Sequence, residues 1–357
     1  MPTASTAALE REFDHECVNI FHDPRTGATG VVAIHSTALG PAMGGLRLHR
    51  YGGLDEAVAD ALRLARAMTL KNAAAGLDLG GGKAVLLDDG AWTSSRGERL
   101  EAVGRAVDGL GGRYVTAEDV GTSPSDMDVI ATQTQWVVGR STENGGRGDP
   151  SLSTARTVFG AIEAAAEIHL ARSLEGVHVG VLGVGHVGSH LVTLLRAAGA
   201  RVSVADVNEG RARSVAEATG STPVAVAGFT SREFDVFAPC AMGEVLGPAE
   251  VAQVRCRVVA GAANNPLTDD GLAADLAERG ILYVPDFIAN CGGIVHVAGE
   301  FACLDDDEVD RRIAGCLTRS RELLATAREA GRSPLDIARE LAAARLAAAQ
   351  ASPAMAS

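Results

Sequence analysis

The chain has 357 residues, of which 46% are hydrophobic, 22% charged and 4% aromatic, and its formal net charge is −13. This length favours two domains with separate cores. The acidic balance argues against nucleic acids and anionic membranes as partners, because both are bound through basic surfaces. No apolar run reaches about 18 residues, and Met1–Glu16 lacks the basic start and apolar stretch of a secretory signal. The six cysteines form no C-x-x-C pair, so we expect reduced thiols in a cytoplasmic protein.

The first half of the chain mixes strand and helix patterns. Apolar residues at helical spacing from Leu54 to Met68 predict a helix with Lys71 just past its end. Ser123, Pro124 and Asp126 have the residue types expected at the N-cap, N1 and N3 positions of a further helix. The predicted strands of this half are Val18–Phe21, Gly30–His35, Ala84–Leu87 and a short strand near Thr116–Val120.

The second half alternates strands and helices regularly from about Ser151, after a glycine-rich loop at Asn144–Gly148 that is the predicted joint between domains. This alternation favours a parallel, doubly wound α/β sheet. A long helical stretch is predicted from Ile294 to Ala330. The predicted strands of this half are Val177–Leu182, Arg201–Ala205, Asp235–Ala238, Val258–Ala260 and Ile281–Val284.

Only two lysines occur, Lys71 and Lys83, and they flank one glycine-rich stretch; the other 30 basic residues are arginine. Arginine keeps its proton at working pH, whereas a buried lysine can release it. We interpret the two lysines as positions that need an ammonium with an adjustable pKa. Two surface lysines retained by chance are the alternative.

Gly183-Val184-Gly185-His186-Val187-Gly188 has the G-x-G-x-x-G pattern, closing one predicted strand and opening a helix. Such glycines permit a tight turn and bring a pyrophosphate close to the helix N-terminus. Asp206 ends the next strand, where a carboxylate accepts from both ribose hydroxyls and repels a 2′-phosphate. The pattern therefore predicts an NAD site, with a structural glycine turn as the alternative. Arg211 and Arg213 weaken the expectation of strict NAD preference.

Gly80-Gly81-Gly82-Lys83 superficially suggests a nucleotide-phosphate loop. Leu77 and Ala84 break the G-x-x-x-x-G-K-[ST] pattern, so magnesium-dependent phosphoryl transfer is not predicted. The glycines instead favour close approach of a substrate and a nicotinamide ring to the backbone. Asp119 is a candidate acid–base partner for the lysine, and a helix-capping or turn carboxylate is the alternative.

Three further groups of residues are weaker candidates. His186 and His190 have no third ligand nearby in sequence, so no metal site is predicted. Cys240 has no recognisable base partner and is interpreted as a core thiol rather than a nucleophile. Asp305–Glu308 is interpreted as a solvated helix start.

Seven longer motifs occur in one order along the chain. They are GPAMGGLR (40–47), TLKNAAAGLDLGGGK (69–83), RYVTAEDVGT (113–122), GVGHVG (183–188), APCAMG (238–243), GAANN (261–265) and ILYVPDFIANCGG (281–293). With them, from about Val31 to Gly299, the sequence resembles the glutamate/leucine/phenylalanine/valine dehydrogenase family, specifically its short branched-chain and phenylalanine members.

This resemblance implies two α/β domains separated by a cleft. Residues 1–150 would form a substrate-binding and oligomerisation domain with a mixed sheet, on which a C-terminal segment, 335–357, packs back. Residues 151–334 would form a Rossmann NAD-binding domain. A homo-oligomer is expected.

The resemblance also implies roles for individual residues. Lys83 would be the catalytic lysine and Asp119 its acid–base partner, while Lys71 and Asn264 would hold the substrate carboxylate. The other implied substrate-binding residues, most of them lining the side-chain pocket, are Met43, Gly44, Ala117, Ile294 and Val297. The implied cofactor-binding residues are Thr154, Gly183, Gly185, His186, Val187, Gly188, Asp206, Ala241, Met242, Asn264 and Asn290.

The chain departs from the family pattern at three positions. Cys291 stands where relatives usually have alanine, and it borders the implied substrate pocket. Thr157 stands where relatives usually have glycine, and Arg156 replaces a residue that is commonly aromatic or aliphatic. The last two lie on the helix of Thr154, so the nicotinamide end of the site is expected to differ.

The residues fit oxidative deamination even without the resemblance. Lys71 supplies a fixed cation for an α-carboxylate, and a desolvated Lys83 near a second ammonium has the lowered pKa that a water-activating base requires. We therefore predict an NAD-dependent dehydrogenase that converts an apolar L-amino acid to its 2-oxo acid and ammonia. The bulk of Met43 favours valine, leucine and isoleucine. Phenylalanine dehydrogenase, a hydroxy-acid oxidoreductase and a non-enzymatic dinucleotide-binding regulator are the alternatives.

Overall fold

A computed structural model describes residues 14–241 and 243–351, and the chain divides into two compact units. The first unit contains the residues up to Asp149, together with Val297–Leu304 and the residues from Ala342 onward. The second contains Pro150–His296 and Asp305–Leu341. The division directly follows the loop predicted as the joint, whereas no sequence pattern predicts that Val297–Leu304 joins the first unit. Within the described ranges, no helix combines the length and hydropathy needed to cross a bilayer.

The strands of the first unit are β1 (Cys17–His22), β2 (Thr29–Ser36), β3 (Ala42–His49), β4 (Gly80–Leu87) and β5 (Tyr114–Glu118). They form a five-stranded sheet in the order β1-β2-β4-β3-β5. β2 is antiparallel to both β1 and β4, whereas β3 is parallel to both β4 and β5. The sheet is therefore mixed, as predicted for this half of the chain.

Helices cover both faces of this sheet. They are α1 (Leu54–Ala74), α2 (Trp92–Asp108) and α3 (Pro124–Ala131), followed by a 3₁₀ turn at Thr142–Asn144. Successive residues of a strand point to opposite faces. Accordingly, Val85 of β4 packs with the alanines of α1, while Ala84 and Leu86 pack with apolar residues of α2 and α3. The residues of β4 that share a face with Val85, including Lys83, therefore point toward α1.

The predicted start of α3 is confirmed. The Ser123 hydroxyl accepts a hydrogen bond from the Asp126 backbone N–H, and the Asp126 carboxylate accepts from the Ser123 backbone N–H. Pro124 occupies the first turn, where the missing N–H costs nothing. The guanidinium of Arg96 also binds both oxygens of Asp126, at 2.7 Å each.

Two predicted boundaries beside the lysines are wrong. α1 continues to Ala74, so Lys71 lies in its last turn rather than just past its end. The apolar periodicity stops earlier because Asn72 is a buried polar residue, whose side-chain amide donates to the Gly80 carbonyl at 2.5 Å. β4 begins at Gly80, so Lys83 lies inside the strand rather than before it.

The sequence pattern does not predict β3 or the start of β4, because both contain glycines and glycine is depleted in strands. The structure requires them where neighbouring backbones approach closely. A Cβ atom at Gly81 would lie 2.1 Å from the Thr69 nitrogen, and one at Gly44 would lie 1.8 Å from the Gly82 oxygen. These strands therefore carry glycine for a packing reason.

The strands of the second unit are β6 (His178–Leu182), β7 (Arg201–Ala205), β8 (Thr222–Pro223), β9 (Val236–Pro239), β10 (Val258–Val259) and β11 (Leu282–Tyr283). They form a parallel six-stranded sheet in the order β11-β10-β9-β6-β7-β8. The chain builds outward from β6 to β8, then crosses back to β9. This reversal of direction is the switch point of a doubly wound fold, where ligands bind at the carboxyl ends of the strands.

The helices of this half of the chain are α4 (Ser151–Ala165), continued by a π-helical turn (Ala166–Leu170), α5 (His186–Ala197), α6 (Glu209–Thr219), α7 (Pro248–Gln253), α8 (Leu272–Glu278), α9 (Asp286–Ala289), α10 (Gly292–Phe301), α11 (Asp306–Ala330) and α12 (Pro334–Ala351). The long helical stretch predicted over 294–330 is two helices, because the chain breaks between α10 and α11. Cys303 adopts a positive φ of 51° there, and the Asp305 carboxylate caps α11 by accepting from the Glu308 N–H at 2.8 Å. The acidic run is therefore a helix start, as predicted.

Candidate active site

Lys83 and Asp119 are brought together although 36 residues separate them in the chain. Lys83 lies in the middle of the sheet on β4, and Asp119 follows the last residue of β5. The Lys83 ammonium donates to Asp119 Oδ2 at 2.6 Å. The lysine is 4% exposed, so its charge is withdrawn from solvent almost completely. The two residues predicted as the catalytic pair form a buried ion pair.

Arg47 of β3 completes this ion pair, and sequence analysis missed it. Its Nε donates to the same oxygen, Asp119 Oδ2, at 3.1 Å. Its Nη1 donates to Asp60 Oδ2 of α1 at 3.1 Å, and the Tyr51 hydroxyl donates to that Asp60 oxygen at 2.7 Å. Arg47 thus holds the Asp119 carboxylate in place, and Arg47 is itself held by its hydrogen bond to Asp60 of α1. Since β3 was unassigned, no sequence pattern placed its guanidinium beside Asp119.

The electrostatics of the pair follow from burial and from two neighbouring charges. Burial lowers the pKa of Lys83, and the Arg47 cation lowers it further, while Asp119 opposes both effects. Burial tends to raise the pKa of Asp119, but the cations of Lys83 and Arg47 outweigh it and hold that pKa at about 2. Asp119 is therefore ionised at all physiological pH values, and Lys83 is more easily deprotonated than an exposed lysine.

Space for the pair is made by Gly45 of β3. A Cβ atom at this position would lie 2.7 Å from the Asp119 Cβ and 3.3 Å from the Lys83 Nζ. Any side chain there would push the carboxylate or the ammonium aside. The third glycine of the GPAMGGLR motif, Gly45, is thus explained by the ion pair itself.

The other predicted substrate-binding residues of the first unit lie on the same framework. Lys71 is half-buried in the last turn of α1. Met43 and Gly44 lie on β3, and Met43 is fully buried. Ala117 is buried on β5, two residues before Asp119. Val297 is partly buried on α10, in the segment that belongs to this unit.

Glu118 is a second residue that sequence analysis missed. It is partly buried, and it faces the carboxylates of Asp149, Glu300 and Asp119. Burial, the largest effect, and these three negative charges raise its pKa to about 7. The sequence signal for Glu118 is that it is directly followed by a second acid, Asp119, at the end of a strand. Successive side chains of a strand point to opposite faces, so the two carboxylates have different surroundings.

The Glu300 carboxylate, one of the three that Glu118 faces, is held by hydrogen bonds from the backbone. It accepts from the N–H groups of Gly139 at 3.1 Å, Arg140 at 3.5 Å and Arg147 at 3.2 Å. These contacts hold the Glu300 carboxylate near Glu118.

In the second unit, the predicted glycine-rich loop joins β6 to α5. A Cβ atom at Gly183 would lie 2.5 Å from the Ala241 nitrogen, and one at Gly188 would lie 2.1 Å from the Gly183 oxygen. Gly185, by contrast, faces open space, where a ligand can reach the backbone. The turn is therefore tight on its inner side and accessible on its outer side, as a phosphate-binding turn requires.

A cavity of about 420 Å³ lies against this loop. Its walls come from the loop, from α5 and from α6. The lining residues are Val184, Gly185, His186, Ser189, Arg211 and Val215. His186 opens α5 and is exposed, and Val187 follows it partly buried.

Asp206 lies at the end of β7 beside the loop and is 7% exposed. Its Oδ2 accepts from the Val184 N–H at 2.9 Å, and its Oδ1 accepts from the Asn208 N–H at 2.8 Å. Arg211 Nη1 lies 3.6 Å from Asp206 Oδ2. The carboxylate is thus tied to the phosphate loop and carries a cation beside it. Arg213 instead pairs with Glu209 at 3.4 Å.

Asn264 and Asn290 are brought together in the same unit. The Asn290 amide donates to Asn264 Oδ1 at 2.7 Å and to the Ala262 carbonyl at 3.0 Å. Asn290 is buried, and within the described residues its Oδ1 has no donor. A buried acceptor of this kind fits a ligand that brings an N–H, such as the carboxamide of nicotinamide. The glycine turn and this acceptor both fit a dinucleotide.

The remaining predicted residues of this unit lie on α4, on α10 and beside the loop. Thr154 is on α4, where its hydroxyl donates to the Pro150 carbonyl at 3.1 Å. Ala241 packs against Gly183, and Met242 lies outside the described residues. Ile294 is buried on α10. No three His, Cys, Asp or Glu side chains of the described ranges converge as metal ligands.

Two of the departures from the family pattern have a structural explanation. The Thr157 hydroxyl donates to the Thr154 carbonyl at 3.0 Å and accepts from the Gly292 N–H at 3.0 Å. It therefore ties α4 to the start of α10, a link that glycine cannot make. Arg156 pairs with Asp310 of α11 at 2.5 Å at the surface.

Comparison with known proteins decides the family. Residues 15–136 match the profile described as Glu/Leu/Phe/Val dehydrogenase, dimerisation domain, and residues 207–353 match the profile Glutamate/Leucine/Phenylalanine/Valine dehydrogenase. A valine dehydrogenase of Streptomyces albus is 46% identical, with 94% of this chain and 93% of the relative covered. The chain belongs to the Glu/Leu/Phe/Val dehydrogenase family. It is an amino-acid dehydrogenase, and this family implies a nicotinamide cofactor.

Other relatives agree with this assignment. A leucine dehydrogenase of Thermoactinomyces intermedius is 40% identical, with 90% of this chain and 87% of the relative covered. The crystal structure of the L-tryptophan dehydrogenase from Nostoc punctiforme is similar with a TM-score of 0.83 and 34% identity, covering 97% of this chain and all of that one. The resemblance inferred from the sequence motifs is confirmed.

We expect Glu118→Gln to raise the thermal unfolding midpoint by a few degrees more at pH 8 than at pH 5. The folded chain holds the Glu118 proton up to a pKa of about 7, against 4.5 ordinarily. Between these values the unfolded chain has already released its proton, so the wild-type protein loses stability as pH rises. Glutamine has no such ionisation.

Scanning calorimetry at both pH values measures this difference. Glu98→Gln, at an exposed position of α2, is the matched control and is expected to change neither midpoint. A Glu118→Gln shift of equal size at pH 5 and pH 8 would contradict the assignment.

Proposed function

We propose that this enzyme catalyses the reversible, NAD-dependent oxidative deamination of a branched-chain L-amino acid to the 2-oxo acid, ammonia and NADH. The observation that carries the proposal is the buried Lys83–Asp119 pair at 2.6 Å, with Arg47 behind it. A protein that only binds a dinucleotide has no use for such a pair. The names of the relatives, valine dehydrogenase and leucine dehydrogenase, support the substrate class.

Lys71 and Asn264 bind the substrate α-carboxylate in this proposal. The Lys71 ammonium supplies the positive charge, and the Asn264 amide supplies a donor. Asn290 orients Asn264, since its amide donates to Asn264 Oδ1 at 2.7 Å.

Lys83 and Asp119 are the catalytic residues. NAD, when bound, accepts the hydride that leaves the substrate Cα, which leaves an imine on the substrate. Lys83 then acts as the general base that takes a proton from the attacking water, and its lowered pKa suits that task. Asp119 accepts a hydrogen bond from the ammonium so formed and relays protons as the carbinolamine breaks down to the 2-oxo acid and ammonia.

The residues proposed to hold the cofactor come from the second unit. The backbone of Gly183–Gly188 binds the pyrophosphate, with His186 and Val187 at the helix start, and Asp206 accepts from the ribose hydroxyls. Thr154, Ala241, Asn264 and Asn290 are proposed to bind the nicotinamide half. Met242, which lies outside the described residues, is proposed as a further cofactor-binding residue on the family resemblance alone. NAD is proposed over NADP because the Asp206 carboxylate repels a 2′-phosphate.

The side-chain pocket is proposed to consist of Met43, Ala117, Ile294 and Val297, and Gly44 is proposed as a further substrate-binding residue. All four side chains are apolar, so a charged substrate side chain would lose its hydration without a partner. Met43 is fully buried, which limits how far it can move to admit an aromatic ring. We therefore favour valine, leucine and isoleucine, with phenylalanine as the alternative.

We further propose a cytoplasmic homo-oligomer that assembles through the first unit. The match of residues 15–136 to a profile described as a dimerisation domain supports this assembly. All six cysteines are free thiols, which supports a reducing compartment.

A substrate panel tests the reaction and its specificity. NAD reduction with valine, leucine or isoleucine is expected to have a kcat/KM at least about tenfold above that with phenylalanine, tryptophan or glutamate. NADH oxidation with the 2-oxo acid is expected to require ammonia. Phenylalanine turning over fastest would overturn the branched-chain assignment, and NADH oxidation without ammonia would overturn deamination itself.

Replacing each lysine by arginine separates their two roles, because arginine keeps the charge but does not release its proton. Lys83→Arg is expected to lower kcat by about 10³-fold, as loss of a general base does. Lys71→Arg is expected mainly to raise KM, by about tenfold, because the cation remains but its geometry changes.

Steady-state kinetics with the amino acid varied at saturating NAD measure this contrast. Circular dichroism and NAD binding serve as controls for folding. If Lys83→Arg kept a kcat within a few-fold of the wild-type value, the assignment of the base would be wrong.

Cofactor choice is tested at Asp206. Asp206→Asn keeps the size of the side chain and removes its charge, so the ratio of kcat/KM for NAD over NADP is expected to fall by about tenfold. Arg211→Gln, which removes the cation 3.6 Å away, is expected to raise the ratio. Equal kcat/KM values for NAD and NADP in the unmodified enzyme would contradict the proposed preference for NAD.

A further inference from the structure

Cys291 and Cys316 are two buried thiols that the proposed reaction does not use. Cys291 lies between α9 and α10, and Cys316 lies on α11. Their exposed fractions are 3% and 4%. Both belong to the second unit, and Cys291 is one of the three departures from the family pattern.

Contacts with α4 fix where the two cysteines lie. Gly292, next to Cys291, donates its N–H to the Thr157 hydroxyl at 3.0 Å. Leu317, next to Cys316, packs on Gly160, where a Cβ atom would lie 2.4 Å from the leucine Cδ2. Thr157 and Gly160 are one helical turn apart on α4. The two cysteines therefore flank the same turn of one helix, and their thiols are hydrogen-bonded to each other.

Arg319 makes the two thiols different, because its guanidinium contacts Cys316. Its Nη2 donates to the Cys316 sulfur at 3.2 Å, one helical turn along α11. The hydrogen bond with Cys291, together with the Arg319 cation, lowers the pKa of Cys316 from the ordinary 9 to about 7, although burial acts in the opposite direction. Burial instead raises the pKa of Cys240 and of Cys256 to about 12. Cys316 is thus set apart from these two core thiols as a candidate nucleophile.

We propose that Cys291 and Cys316 form an oxidisable thiol pair, a modification site that hydrogen peroxide converts to a disulfide and that thiols restore. A nucleophilic cysteine, a resolving cysteine in contact with it and a neighbouring cation are the elements of such a site. Because both sulfurs are buried, we expect only a small oxidant such as hydrogen peroxide to reach them and glutathione-sized disulfides to be excluded.

The chemistry balances with peroxide as the oxidant. The Cys316 thiolate attacks one peroxide oxygen and the O–O bond breaks, which gives a sulfenic acid and hydroxide. The hydroxide takes up the proton that the Cys316 thiol released and becomes the first water. The Cys291 sulfur then attacks the sulfenic sulfur, forming the S–S bond and releasing the hydroxyl group and the Cys291 proton as a second water. Two thiols are oxidised by two electrons and one peroxide is reduced to two waters.

The expected consequence is loss of activity, and this part rests on the proposed function. Disulfide formation draws the two sulfurs together to about 2.05 Å and so moves the backbone at Cys291. Asn290, immediately before it, orients Asn264, which is proposed to bind the substrate carboxylate. A displacement of about 1 Å at such a group can cost about 100-fold in rate.

The test uses the full-length enzyme carrying Cys303→Ser, treated with hydrogen peroxide and digested with trypsin under non-reducing conditions. The substitution is needed because Cys291 and Cys303 share the tryptic peptide 280–311, whereas Cys316 lies in 313–319. Mass spectrometry is expected to find these two peptides linked. Activity is expected to fall at least about tenfold in step with the linkage, and dithiothreitol is expected to restore it.

Cys316→Ala and Cys291→Ala, each in the same background and each compared with its own untreated activity, are the matched controls. Both are expected to keep their activity in peroxide. Absence of the linked peptide, or equal inactivation of the control variants, would overturn the proposal. The failure of the proposed function is distinguishable, since it would leave the linkage intact while the untreated enzyme deaminates no amino acid.

Discussion

A buried ammonium is the constraint on which the first unit depends. Lys83 is held in the middle of a sheet, and desolvating a cation costs several kcal/mol unless a partner compensates it. Asp119 is that partner, at 2.6 Å. The same carboxylate also accepts a hydrogen bond from Arg47, so the two cations and the carboxylate hold one another in position. Gly45 is needed because any side chain at that position would contact Asp119 and Lys83.

This arrangement serves reactivity better than it serves stability. Removing one member of a buried ion pair typically costs about 3–5 kcal/mol, whereas replacing all members with apolar groups is often neutral or stabilising. Arg47 adds a second cation near Lys83, which makes the lysine release its proton more readily. Asp60 and Tyr51 then hold Arg47 in place.

Local features of the fold could be predicted from the sequence, whereas tertiary contacts could not. The glycine turn at 183–188, the Asp206 position and the capping box of Ser123 are each set by a few adjacent residues, and their patterns are visible. The motif resemblance also predicted the family and the Lys83–Asp119 pair. Arg47 was missed because its importance arises only where β3, the end of β5 and α1 meet. Glu118 was missed because two of the carboxylates that it faces, those of Asp149 and Glu300, come from distant parts of the chain. The position of Lys71 was misjudged because a buried asparagine interrupts the apolar periodicity.

The return of the chain to the first unit has a consequence for its synthesis. Arg345 donates to the Ala73 carbonyl at 3.0 Å and to Asp78 at 2.8 Å, so the last helix covers the end of α1. A ribosome delivers domains from the N-terminus onward at about 5–20 residues per second. The unit that begins the chain is therefore finished last, after the whole nucleotide-binding sheet has emerged. Until then the carbonyls at the end of α1 lack the guanidinium that caps them.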